Sequence, residues 1–185
     1  MDSLWNAAEA ASYEGELGLR VYTSRLLGQE SSLVLHGGGN TSLKGQTYNI
    51  FGDPVPTLYV KGSGWDLKSL EPAGLSPTCL ETLCRLAQLS TLTDTEMARE
   101  LKAALLDPSA PAPSVEAILH AIIPFKYVDH THADAVVAIS NSPDGEALLR
   151  QLYPDDILIL PYIMPGFILS KQVFEATCDI DWTRI

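Results

Sequence analysis

The 185-residue chain predicts a mixed α/β fold. Three observations carry this. Apolar residues recur at helical spacing in several segments, such as Cys79, Leu80, Leu83, Cys84, Leu86 and Ala87. Short apolar runs, such as Leu58 to Val60, end in glycine-rich turns. The two kinds of segment are interleaved along the chain, which favours layered helices and sheet over a bundle or a sandwich.

Taken in order, residues 3–28 read as helical, with Leu4, Ala8, Ala11, Leu17, Leu19, Leu26 and Leu27 set among polar residues. Ser31 to His36 read as extended, and Gly37 to Asn40 as a turn. "TLYVKGSGWDL" (57–67) repeats that design, a short strand running into a turn. Residues 75–89 have helical spacing. Residues 93–106 do too, and Thr93 with Glu96 suits a capping box. Three prolines make 107–113 a loop. "SVEAILHAIIPF" (114–125) reads as a buried helix capped by Ser114 and stopped by Pro124. Residues 127–140 open extended, 142–153 form a short helix, 155–166 an apolar strand, and 168–178 a last helix. No repeat or domain boundary is evident, so one domain over residues 1–185 is expected.

Composition excludes some functions. A net charge of −11 disfavours nucleic acid and anionic membrane as partners, because both reward positive charge. No run of about 18 apolar residues predicts a spanning helix, and the acidic start is unlike a secretory signal. Cys79, Cys84 and Cys178 make an odd, sparse set, which points to a reducing, cytoplasmic setting.

Chemistry concentrates in a few short stretches. In "YVDHTHADAV" (127–136), His130 and His132 fall on one side of an extended backbone and can reach one divalent ion. Asp129 and Asp134 are candidates to orient their rings. Glu116 opens an apolar helix, where a carboxylate needs a partner or the helix N-terminus. His120, four residues on, reads as a packed core histidine rather than a ligand. "HGGGNTS" and "KGSGWDL" are turns whose N–H groups can approach an anion, with Asn40, Thr41, Ser42 and Ser63 adding polar groups. Neither turn has Walker or Gly-x-Gly-x-x-Gly spacing. Lys61 reads as a solvated charge at a strand end.

In combination, "GGGNTS", "VKGSGWDL", "PSVEAILH" and "DHTHADAV" resemble the class II aldolase/adducin family from about residue 30 to residue 170. The likeness is greatest to the aldolase part of bifunctional rhamnulose-1-phosphate aldolase/short-chain dehydrogenase proteins. The resemblance implies a three-layer α/β/α fold around a central, mainly antiparallel sheet. It implies zinc, or another divalent metal, bound by His130 and His132, with Glu116 as catalytic acid/base. The substrate's phosphate would be bound through Asn40, Ser63 and Gly64, with Thr41 and Ser114 in the same group. It further implies a lyase of carbohydrate metabolism, acting on a small sugar phosphate, and a homo-oligomer, a tetramer where the fold is complete.

Two departures stand out. Val115 occupies a position where sugar-phosphate relatives carry a second hydroxyl before the glutamate. The family's third metal histidine lies further along, and this sequence ends at Ile185, so a fold truncated at its C-terminus with an incomplete metal site is expected. A non-catalytic, adducin-like interaction module is the alternative function. A cupin-like barrel is disfavoured by the helices flanking the histidine pair.

Overall fold

A computed structural model describes residues 2–154 and 157–182. Its centre is a four-stranded antiparallel sheet in the order β3-β2-β1-β4. The strands are β1 (Asn40–Tyr48), β2 (Pro54–Lys61), β3 (Leu75–Cys79) and β4 (Tyr127–His130). The β1–β2 hairpin pairs Ser42 with Val60, and β4 joins the other edge of β1 by pairing Asn40 with His130.

Helices cover both faces, which makes the three layers expected. On one face lies α2 (Gly15–Gln29), preceded by the short α1 (Ala7–Ala10). Its Val21 joins Val34, Leu67, Leu70 and Leu75 in one buried cluster, with Tyr59 and Trp65 packed against them. The other face carries α3 (Leu80–Leu86), α4 (Asp94–Ala103), α5 (Ala117–Ile122) and α8 (Phe167–Thr177). There Leu58 and Val60 of β2 meet Leu83, Met97, Leu101, Ile118 and Phe167. Each fully buried side chain of this kind stabilises the fold by about 1.5–3 kcal/mol relative to exposure. The Thr93–Glu96 capping box forms at the start of α4, as its spacing requires. α6 (Asp134–Ser140) and α7 (Gly145–Leu152) pack on each other beyond β4. Among the described residues, no helix is long and apolar enough to cross a membrane.

The structure corrects several boundaries. The strand expected over 31–36 is a turn, with Val34 N–H bonded to Glu30 O at 3.2 Å, and β1 begins only at Asn40. The apolar alternation that marks a strand is missing there because Asn40, Thr41 and Ser42 are polar and fully buried. Residues 75–79 are strand, not helix: their backbone completes the ladder beside β2. Ser114 is not the helix cap, since α5 starts after Glu116. The expected strand over 155–166 is absent from 157–164, while residues 155 and 156 lie outside the described residues. Pro161 and Pro165 deny a ladder two N–H donors, and Tyr162 and Met164 remain exposed.

Candidate active site and metal centre

Strand alternation sorts the polar residues of β1 and β4. Asn40, Ser42 and Lys44 face α5, as does His130, the cross-strand partner of Asn40. Thr41 and Asp129, paired with each other, face α2.

The α5 face assembles a compact group. Lys44 donates to the carbonyls of His120, Ile123 and Phe125, which satisfies the C-terminal end of the short α5. Burial lowers the pKa of this lysine to about 8. Ser42 Oγ lies 2.8 Å from His120 Nδ1. With α5 fastened to β1 at these two places, Glu116 at its start is held over the strand ends. Glu116 Oε2 lies 2.9 Å from His130 Nδ1 and accepts a 3.3 Å hydrogen bond from Asn40 Nδ2. Burial works against the ionised carboxylate. The hydrogen bond and charge of His130, with the Asn40 bond and His120, outweigh it, so the pKa stays below the ordinary value. His120 is fully buried, and desolvation drives its pKa down to about 3, so the ring is neutral.

Among the described residues, two side-chain atoms on this face are buried without a partner: Asn40 Oδ1 and His120 Nε2. Such atoms are costly unless a ligand or ion completes them. Ligand atoms of Glu116, His120 and His130 lie within 4.8 Å of one another. A single divalent ion could be shared by these atoms after a small inward shift. A neutral imidazole, a second imidazole and a carboxylate are a donor set that suits a divalent ion. The structure therefore fits a metal here.

His132 stands apart from that trio. Its ring centroid is 4.8 Å from that of His130, but the residue is exposed and lies beyond the end of β4, its N–H bonded to Leu33 O. It borders the first glycine turn: a Cβ added at Gly38 would sit 3.5 Å from His132 Nδ1. Gly39 beside it requires its missing side chain, because φ is +68° and a Cβ would meet His130 O at 2.9 Å. In the second turn, Gly62 and Ser63 N–H groups are bonded to Gly74 and Ala112 carbonyls at 2.8 Å. Ser63 is exposed at the tip, and Gly64 has φ +84°.

Other expected residues fall elsewhere. Thr41 is fully buried on the far face, its hydroxyl 2.8 Å from Ser24 Oγ, so it does not stand with Asn40. Asp129 cannot orient the imidazoles, because β4 turns it to the far side and Arg20 pairs with it. Asp134 is exposed in the first turn of α6. Ser114 Oγ accepts from Glu116 N–H at 3.3 Å and so fixes the approach to the glutamate. The neighbouring Val115 is exposed. Lys61 is buried rather than solvated, and burial lowers its pKa while Glu116 and Asp66 act in the other direction. Sequence reasoning missed the Ser42–His120 contact. Its only signal was that Asn40, Ser42 and Lys44 repeat at strand period.

Residues 19–180 match the family described as Class II Aldolase and Adducin N-terminal domain. This chain belongs to that family. It is 34% identical over 176 residues to the "Uncharacterized oxidoreductase YuxG" of Bacillus subtilis (strain 168). That match covers 95% of this chain but 26% of the relative, so the chain spans about a quarter of the relative's length. A solved structure, the N-terminal class II aldolase domain of a conserved protein from Thermoplasma acidophilum, superposes with a TM-score of 0.87. It is 35% identical, and the match covers 98% of this chain and 82% of that one. Membership agrees with the site, since class II aldolases use a divalent metal.

Proposed function

We propose that the chain is the aldolase part of a longer protein and cleaves a phosphorylated ketose, of the rhamnulose 1-phosphate kind, by a zinc-dependent retro-aldol reaction. The observation that carries this reading is the Glu116 carboxylate, 2.9 Å from His130 Nδ1 and bonded to Asn40 beside the glycine turns. His130 would hold the ion with the open Nε2 of His120 on its inner side, and His132, whose ring centroid is 4.8 Å from that of His130, would have to turn in from beyond the strand end to join them. When bound, the ion supplies Lewis-acid polarisation of the substrate carbonyl.

The residues of the chain account for the proton traffic. A carboxylate whose pKa lies below the ordinary value is ionised at neutral pH and ready to accept a proton. In retro-aldol cleavage, the hydroxyl beyond the scissile bond loses its proton and becomes the aldehyde. The electron pair of the carbon–carbon bond passes to the fragment that bears the ketone, and the carbon left behind regains a proton. Glu116 would handle that proton, while the turn at Ser63 and Gly64, with the second N–H of the Asn40 amide, would hold the substrate's phosphate end. The relative YuxG is called an oxidoreductase. Hydride transfer would call for a dinucleotide fingerprint, and this sequence carries none of that spacing. The same reading makes the protein cytoplasmic and homo-oligomeric.

The test is incubation of the intact protein with rhamnulose 1-phosphate and zinc, following release of the aldehyde and the phosphorylated ketone. The reading predicts zinc-dependent release that a chelator abolishes. Release that is unchanged by the chelator, or none with any ketose phosphate, would remove it.

A further inference from the structure

The two glycine turns come from separate parts of the chain, yet an anion site built from both needs them at one fixed spacing. Lys61, at the end of β2, provides a tie. Its Nζ donates to Gly37 O at 3.1 Å in the first turn and to Trp65 O at 2.8 Å at the close of the second. The side chain is only 5% exposed. An ammonium has three donors, and these two carbonyls take two of them. Among the described residues, no carboxylate lies within ion-pair distance of it; Glu116 and Asp66 act on its charge only from further away. A buried cation that meets only carbonyl dipoles is costly and favours an anion nearby. The Gly64 N–H, with no partner among the described residues, and the exposed Ser63 lie within the same turn.

We propose that Lys61 is a positioning residue for a phosphate-bearing substrate: it clamps the two glycine turns together and places a positive charge between them. The proposal rests on the reading of these turns as the phosphate site. Its consequence is selectivity, because a phosphorylated ketose gains from the charge and an unphosphorylated one does not.

The experiment is calorimetric titration of the intact protein with inorganic phosphate. It compares wild type, Lys61→Met and Lys61→Arg, with amide hydrogen exchange over 37–40 and 62–66 and thermal unfolding on the same samples. Lys61→Met should weaken phosphate binding by about tenfold or more, as expected for loss of a charge-assisted contact. Exchange should speed up in both turns together. Lys61→Arg, which keeps the charge, should regain part of the affinity. If Lys61→Met does not fold, Lys61→Gln, which keeps a donor without the charge, takes the same readouts. Unchanged affinity in a folded variant overturns the proposal, and so do loosened turns with unchanged affinity, which would make the lysine merely structural. Wild-type protein that takes up no phosphate is a separate result, seen in the first titration alone. It overturns the phosphate reading of the turns and this proposal with it.

Discussion

The two faces of the β1–β4 pair carry nearly the same polarity and do opposite work. On the α2 side, Thr41 meets Ser24 and Asp129 meets Arg20, with Arg20 also bonded to Val128 O at 3.0 Å. These contacts close on one another, and among the described residues Arg20 Nε is the one buried side-chain atom there left over. On the α5 side, Asn40 Oδ1 and His120 Nε2 stay open next to a carboxylate and a second imidazole. Burial of polar groups is therefore not the mark of the site. Unsatisfied acceptor atoms beside a carboxylate and two imidazoles close enough to share one ion are, because a single ion or ligand can complete them together.

The largest expected effect separates the faces by activity. Glu116→Gln keeps the shape of the side chain but cannot accept the proton. In the intact protein it should lower retro-aldol turnover on the order of 10²-fold or more with thermal unfolding little changed. Asp129→Asn, on the far face, should lower stability while the folded protein keeps turnover within a few-fold. Steady-state kinetics beside thermal melts reads both; equal losses of turnover in the two variants would erase the distinction.

Ser42→Ala tests whether the His120 ring is held from β1. Leaving Nδ1 buried without its partner should cost about 1–3 kcal/mol, measured by denaturant unfolding. A neutral result would mean that the ring finds its place without the hydroxyl.

The pH dependence follows from the same ring. His120 has a pKa of about 3 in the fold against an ordinary 6.5. Between these values, the unfolded chain binds a proton that the folded metal-free chain refuses. Stability is thus complete above pH 6.5 and is lost as pH falls toward 3, by about 1.4 kcal/mol per pH unit. Chemical denaturation at pH 7 and pH 5 should show the drop, and His120→Gln should flatten it. A slope that survives in that variant would belong to other groups.

The smallest effect expected is that of Thr41→Val on the α2 side. Losing the bond to Ser24 should cost about 1 kcal/mol and leave zinc and phosphate affinity unchanged. A clear loss of phosphate binding would return Thr41 to the substrate site.

Much of this arrangement was legible in the sequence, for physical reasons that differ by element. β2 and α4 were readable because an apolar run and a capping box are local signals. β1 was misplaced because its buried face is polar: Asn40 and Ser42 are inside for their contacts with Glu116 and His120, and no hydrophobic period reports that. Residue type and spacing drew attention to Glu116 and His130, and the fold brings their side chains to 2.9 Å. The place of Asp129 and Thr41 depended on the register of β1 against β4, which a single strand does not encode. The burial of Lys61 depended on two distant carbonyls, a tertiary fact with no local trace.

The central claim is that the α5 face of the β1–β4 pair binds a divalent ion. Zinc titration of this chain by calorimetry, paired with metal analysis after dialysis, tests it directly. The account predicts one equivalent in wild type, one in Asp129→Asn, and none when His130 and His132 are both alanine. Full zinc content in the double-alanine protein would contradict it.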